Sequence, residues 1–317
     1  MISKSIYLKD IKQGEKISSS FLVAEKNMAF SLKGSPYLTV KLKDKTGEVD
    51  GKVWDNAVEF NQQFKKGDVI AIDGRANTYK NTLQISIISI KKCDWEEVEP
   101  TDYLPGAEGD VNAMFDEILT HVEAVQNDAL RNLLYAFFKD EKTARLFKRA
   151  PAAKGFHHTY LGGLLEHSLS VVRLLTKIAE HYPWLDKDLL ITGGLLHDIG
   201  KIYEFSYDQL IEYSDEGRLI GHIVMGVEMI DDKIAAIPEF PPQLSLELRH
   251  IILSHHGEFE YGSPKRPKTM EALAVHYMDD LDAKLNAFKS FTGTTNNADS
   301  DWTTYNRFFE RYLYKKK

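Results

Sequence analysis

His167, the adjacent pair His197-Asp198, His222, the adjacent pair His255-His256, and Asp279 with Asp280 behind it have the residue types of metal ligands. Packing alone gives no reason for a His-Asp pair inside an apolar run. Imidazole and carboxylate together suit borderline and hard divalent cations. A carboxylate beside an imidazole, supported by more of both, is what two nearby ions need if one ligand is to bridge them. Paired cations clamp a phosphate ester, lower the pKa of water and neutralise charge developing on the leaving oxygen. Such a site needs no side-chain nucleophile, and the chain has no Ser or Cys nucleophile motif. The residues therefore point to metal-dependent hydrolysis of P–O bonds, with Asp198 at its centre. Mixed donors favour Mn²⁺, Fe²⁺, Co²⁺ or Zn²⁺ over an all-oxygen Mg²⁺ site, and Mn²⁺ is the expected ion. Imidazoles bind metal only when neutral, so activity should fall as pH drops through the histidine range.

Helices must carry these ligands. Apolar residues recur at helical spacing from Val111 onward, as in Met114, Phe115, Ile118, Leu119, Val122 and again in Leu130, Leu133, Leu134, Phe137, Phe138. The periodicity predicts further helices over about 161–181, 187–201, 219–235, 244–256, 269–290 and 301–314. The His-Asp pair ends the apolar run Gly193-Gly194-Leu195-Leu196, with Gly200 as a helix stop. Neighbouring helical residues point about 100° apart, so both can converge on metal only if other helices supply the remaining ligands. His121, His181, His250 and His276 stand alone and read as surface or core.

The first part of the chain has a different period. Leu38, Val40, Leu42 and Val49, Gly51, Val53 alternate with polar residues, and Val69–Ile72 and Leu83, Ile85, Ile87 follow turn signals. Asp44-Lys45-Thr46-Gly47 reads as a hairpin turn. Four or five short strands within about 75 residues predict a small closed barrel. The span 96–110, EEVEPTDYLPGAEGD, has no apolar period and reads as a linker. The expected organisation is thus a small β-barrel over 1–95, a linker over 96–110 and an all-α domain over 111–317.

Charge follows the same division. Residues 1–95 carry 16 Lys+Arg against 11 Asp+Glu, or +5, and the remainder 24 against 36, or −12. A basic front joined to an acidic, metal-binding back is compatible with an anionic substrate held at one end and cut at the other. A single cysteine, Cys93, excludes an intrachain disulfide and any Cys-rich metal site. No signal-like or membrane-spanning run occurs, so a cytoplasmic protein without a membrane partner is expected.

The order His … His-Asp … His … His-His … Asp resembles the HD-domain metal phosphohydrolases over about residues 150–290. That resemblance implies one ion held by His167, His197, Asp198 and Asp279. It implies a second that shares Asp198 and adds His222, His255 and His256. It favours Asp279 over Asp280 because the ligand opens an Asp-x-Leu-Asp-Ala pattern, with Asp282 as a structural follower. Upstream, Lys154, His157 and His158 could bind phosphate oxygens, protonate the leaving group, or cap a helix. Lys201 could reach a phosphate or pair with a nearby acid.

Phe30, Tyr37, Trp54 and Tyr79 lie among lysines and Arg75 in the barrel segment. Aromatics beside cations on strands stack unpaired bases and screen phosphates, although such residues also fill barrel cores. Residues 14–92 resemble a nucleic-acid-binding OB-fold. An OB-fold followed by an HD domain is similar to the bacterial YhaM-type 3′-to-5′ exoribonucleases. The resemblance implies single-stranded RNA or DNA as partner, Mn²⁺-dependent cleavage and release of nucleoside monophosphates. The alternative is an HD-domain phosphohydrolase of dNTPs, cyclic dinucleotides or guanosine tetraphosphate with a regulatory barrel. The aromatic tail Trp302, Tyr305, Phe308, Phe309 and Tyr312 is compatible with a homo-oligomer surface or with a docked final helix.

Overall fold

Alternating side chains close the barrel as expected. The computed structural model describes residues 4–31, 33–80, 82–107, 109–154, 160–207, 209–294 and 300–315. Two compact units emerge, one of Met1–Gly106 with Asp208–Leu210 and one of Ala107–Tyr207 with Ile211–Lys317. In the first, β1 (Lys16–Phe30), β2 (Pro36–Asp44), β3 (Gly47–Val53), α1 (Ala57–Gln63), β4 (Val69–Tyr79) and β5 (Thr82–Cys93) follow in order. The strands close as β1-β2-β3-β5-β4, parallel only between β3 and β5. β1 serves both β2 and β4, with a register shift between Val23 and Glu25 where it pairs with β2. Phe21, Leu38, Leu42, Ile70 and Ile85 point inward and are fully buried. This is the five-stranded OB arrangement. The short α1 was not legible, because only Ala57 of its seven residues is buried and no apolar period forms.

The span read as a linker is not free over its first half. Val98, Tyr103 and Leu104 are buried on the first unit. The Tyr103 hydroxyl lies 2.6 Å from Ser20 Oγ, and Asp102 accepts from the Tyr7 hydroxyl at 2.6 Å and from Lys45 at 3.1 Å. Asp102 thus serves the barrel as a hydrogen-bond acceptor, a role composition does not reveal.

The second unit comprises α2 (Val111–Ala124), α3 (Asp128–Phe138), α4 (Glu141–Arg149), α5 (Gly163–His181), α6 (Lys187–Leu196) and α7 (Lys201–Glu204). A short hairpin of β6 (Phe205–Ser206) and β7 (Glu212–Tyr213) follows. Then come α8 (Asp215–Leu219), α9 (His222–Ala235), α10 (Pro242–Ser254) and α11 (Met270–Thr294). Side chains fix the starts of several helices. Asp110, Asn127, Asp140 and Asp186 accept backbone N–H groups of α2, α3, α4 and α6. The last eight residues of α6 are buried, so this helix is the centre around which the others pack.

Two expectations fail here. The predicted helix at 301–314 is instead an extended, bridged turn, in which Trp302 pairs with Tyr314 and Asn306 with Arg311. The Asn306 side chain accepts the N–H groups of Phe308 and Phe309, and this local turn outcompetes helix. Second, α6 stops before Gly200, which has helical angles. A Cβ at Gly200 would lie 2.1 Å from the His222 carbonyl oxygen, so glycine is required there for close approach to α9. Among the described residues, no helix is long and apolar enough to cross a membrane.

Candidate metal centre

The predicted ligands come from five places on the helical unit and meet in one pocket. His167 lies on the first turns of α5, His197 and Asp198 in the turn after α6, and His222 at the start of α9. His255 and His256 follow α10, and Asp279 lies inside α11. His167 Nε2 stands 3.1 Å from Asp279 Oδ1, 3.2 Å from His197 Nε2 and 3.6 Å from Asp198 Oδ2. His197 Nε2 is 3.4 Å from Asp198 Oδ2 and 3.8 Å from Asp279 Oδ1. The other oxygen, Asp198 Oδ1, faces the opposite way, 3.5 Å from His222 Nε2 and 3.4 Å from His255 Nε2. His222, His255 and His256 offer donor atoms within 4.8 Å of one another. The two oxygens of one buried carboxylate thus face two separate sets of imidazoles.

The donor set fits cations. Donors held about 2.1 Å from one ion stand about 3.0–3.4 Å apart, close to the spacing of the first set. Asp198 Oδ1, His222 Nε2 and His255 Nε2 are buried and make no hydrogen bond to any described residue. Leaving such atoms unpaired costs about 1–3 kcal/mol each, and a cation between them would satisfy all three. Asp280, the neighbour of Asp279, pairs with Lys284 at 2.7 Å instead.

Each imidazole is held through its other nitrogen. His167 Nδ1 meets Asp282 Oδ2 at 2.8 Å, and Asp282 also accepts from the Ser170 hydroxyl. His197, His255 and His256 each direct Nδ1 at a backbone carbonyl, those of Gly194, Ile252 and Tyr261, at 2.8 Å. His222 Nδ1 meets Glu204 Oε1 at 2.8 Å. This second layer selects the tautomer that leaves Nε2 free for a ligand. His276, read from sequence as surface or core, pins the corner from behind, with Nδ1 2.7 Å from the His255 carbonyl. Gly257 has φ +78° and lies against His276, where a Cβ would fall 2.1 Å from the ring. Glu204 escaped the sequence reading because an isolated Glu on a short helix has no spacing signal. Asp282 was noted only as a follower.

Electrostatics prepare the ligands. Burial opposes ionisation of Asp198, but Lys201 and His197 beside it hold the carboxyl well below its usual range. Burial likewise opposes ionisation of Asp279, and His167 and His197 outweigh it. Burial, then His255 and His222, push His256 down to about 3, so it is neutral and ready to bind. Burial alone would depress His167, but the Asp279 and Asp282 carboxylates win and raise it to about 9. In the absence of metal, His167 therefore carries a proton in the place of a cation.

The remaining predicted residues divide. Lys201 is buried with Nζ 2.6 Å from Asp198 Oδ2, so its charge is engaged by the central carboxylate. Lys154 forms an ion pair with Glu212. His157 and His158 lie outside the described residues. On the barrel, Tyr37 of β2 stacks on Trp54 just after β3, with centroids 4.8 Å apart and planes at 27°. Trp54 is half exposed, which excludes it from the core, and Lys52 Nζ lies 5.4 Å from the Tyr37 ring. Phe30 and Tyr79 are exposed at strand ends. Arg75 belongs to β4 and donates to the Gly14 carbonyl at 3.1 Å, so it does not join the β2–β3 aromatic pair.

Known families match both units of the chain. The HD domain family model matches residues 164–284, the span that holds every proposed ligand. The model of the OB-fold nucleic acid binding domain matches residues 24–92. A third model, TraI_2, matches residues 108–186. The chain is 33% identical over 286 residues to the 3′-5′ exoribonuclease YhaM of Bacillus subtilis (strain 168), covering 90% of each chain. It is 33% identical over 285 residues to the protein of the same name in Bacillus velezensis, covering 90% of this chain and 89% of that one. Among solved structures, the second OB-fold domain of replication protein A from Methanococcus maripaludis matches 30% of this chain and 98% of its own. Its identity is 21% and its TM-score 0.24. The S. cerevisiae mitochondrial single-stranded DNA binding protein Rim1 matches 26% of this chain and 97% of its own, at 16% identity and TM-score 0.24.

Proposed function

The chain belongs to the YhaM family of 3′-5′ exoribonucleases, and from that premise we propose that it shortens single-stranded RNA from the 3′ end by hydrolysis, releasing nucleoside monophosphates. Single-stranded DNA is a second substrate of the same reading. The observation that carries the proposal is the placement of Asp198, one buried carboxylate with an oxygen in each of two imidazole sets. His167, His197, Asp198 and Asp279 would hold one divalent cation. His222, His255, His256 and the other oxygen of Asp198 would hold the second. Mn²⁺ is the proposed ion, because mixed imidazole and carboxylate donors suit it, as they suit Fe²⁺, Co²⁺ and Zn²⁺. When bound, the pair supplies Lewis acidity toward a phosphodiester and lowers the pKa of water.

The chain's own groups do the rest. Lys201 neutralises and steadies the Oδ2 side of Asp198. Asp282 and Glu204 orient the His167 and His222 imidazoles through their Nδ1 atoms. Four carboxylates (Asp198, Asp279, Asp282 and Glu204) and the Lys201 ammonium leave three negative charges in the pocket. Two divalent cations would exceed that by one positive charge, which suits the single negative charge of a phosphodiester at the point of cleavage. On the barrel, the stacked Tyr37–Trp54 pair with Lys52 would take unpaired bases and their phosphates.

The test is a 5′-labelled single-stranded oligoribonucleotide incubated with Mn²⁺ beside a panel of dNTPs, cyclic dinucleotides and guanosine tetraphosphate. A ladder receding from the 3′ end with accumulation of monophosphates is expected. Turnover of the small nucleotides with the oligonucleotide intact would refute the reading.

A further inference from the structure

We propose that Glu204 is the positioning residue on which occupancy of the second cation site depends, and that the two sites consequently differ in affinity. The proposal rests on the two-cation reading above. The first site has Asp279 as a carboxylate of its own, a share of Asp198, and Asp282 behind His167. The second offers three imidazoles and only the Oδ1 share of Asp198. Among the described residues, Glu204 is the only further carboxylate in contact with the second set's imidazoles.

Its placement is specific. Glu204 ends α7 and is buried, with Oε1 2.8 Å from His222 Nδ1 and 3.1 Å from the His222 backbone nitrogen. One oxygen thereby caps the start of α9, which has no side-chain cap of its own, and fixes the imidazole that begins it. With Nδ1 donating to Glu204, the Nε2 lone pair of His222 is directed at the Asp198 Oδ1 side. A charged acceptor also makes the ring a stronger donor to metal than a carbonyl would. The backbone around Glu204 is fixed as well. Its carbonyl accepts from the Ser214 N–H at 2.9 Å, and a Cβ on Gly217 would lie 2.1 Å from that oxygen. The carboxylate is therefore delivered by a rigid corner.

The experiment titrates metal-free full-length protein with Mn²⁺ and follows free Mn²⁺ by electron paramagnetic resonance. The wild type should bind two ions in two classes, tighter and weaker. Glu204→Gln keeps the shape and an oxygen acceptor for the α9 N–H but removes the charge. It should weaken the weaker class by about 10–100-fold and leave the tighter class unchanged, with a native circular dichroism spectrum. Glu204→Asp, which restores the charge, should recover part of the loss, and Asp282→Asn should weaken the tighter class instead. Wild-type affinity for both ions in Glu204→Gln, equal weakening of both, or no recovery in Glu204→Asp would overturn the proposal. So would metal-free Glu204→Gln that fails to fold, which would reduce Glu204 to a helix cap. A wild type that binds two unequal ions without cutting RNA would instead refute the proposed activity and leave this inference standing.

Discussion

Replacing Asp198 by Asn separates what this residue does for the fold from what it does for chemistry. In the metal-free protein its Oδ2 pairs with buried Lys201 at 2.6 Å, while Oδ1 has no hydrogen-bond partner among the described residues. Removing the charge strands a buried ammonium, and breaking a buried pair from one side costs about 3–5 kcal/mol. Relief of the unpaired oxygen returns about 1–3 kcal/mol. The pair loss wins, for a net destabilisation of about 2 kcal/mol. In a helical unit of this size that corresponds to a Tm lower by about 4–8 °C. Melting of metal-stripped protein, read at the far-UV helical signal, measures it. Asp198→Asn combined with Lys201→Met removes the stranded charge and should recover most of the melting temperature. Neither variant should bind two Mn²⁺ ions or shorten RNA, because a neutral amide with a single oxygen replaces the bridging carboxylate in both. A double variant no more stable than Asp198→Asn would show that Lys201 is not stabilised by this pair. Retained cleavage by Asp198→Asn would remove the bridging carboxylate from the chemistry.

Three further outcomes follow from the same geometry. His167, raised to about 9, is protonated at pH 7.5 in the metal-free protein, so loading should release about one proton from it. Apparent Mn²⁺ affinity should therefore climb roughly tenfold per pH unit up to about 9 and then level off; calorimetry in buffers of different ionisation enthalpy counts the proton, and affinity flat between pH 6.5 and 9 contradicts the assignment. Trp54→Ala should weaken binding of a single-stranded oligonucleotide by about 1–3 kcal/mol, measured by fluorescence anisotropy, and leave hydrolysis of a small chromogenic phosphodiester unchanged. Gly200→Ala places a methyl 2.1 Å from the His222 carbonyl oxygen and must push α9 outward; reduced Mn²⁺ stoichiometry is expected, and an unchanged binding isotherm would contradict it.

The gathering of His167, His197, Asp198, His222, His255, His256 and Asp279 was legible because few other residue types suit borderline cations, and the resemblance to HD domains ordered them along the chain. The barrel was legible because Leu38–Leu42 and Val49–Val53 keep a strict two-residue period. Glu204 was not legible, since nothing about Lys201-Ile202-Tyr203-Glu204 distinguishes an acid aimed at an imidazole from one facing water. Lys201 illustrates a different limit: the sequence placed it beside Asp198 without deciding between phosphate and carboxylate as its partner. At the end of the chain, aromatic spacing at 302–312 imitated a helix, while the Asn306 side chain set a turn that periodicity does not weigh. Residues 96–104 misled by composition, because acidic and proline-rich stretches usually stay in solvent and this one buries Tyr103.

Three of the five imidazoles are steered by main-chain oxygens, those of Gly194, Ile252 and Tyr261. A substitution at exposed Tyr261 keeps the steering atom, whereas a Cβ on Gly194 would lie 2.6 Å from Leu175 Cδ1 and Ile252 is fully buried, so packing restricts those two positions. At Asp282 and Glu204 the steering atom is itself a side chain, and any substitution there loses it or its charge. In a saturation scan these two acids should stand out from their neighbours nearly as sharply as the proposed metal ligands, and the Tyr261 segment should remain free to diversify.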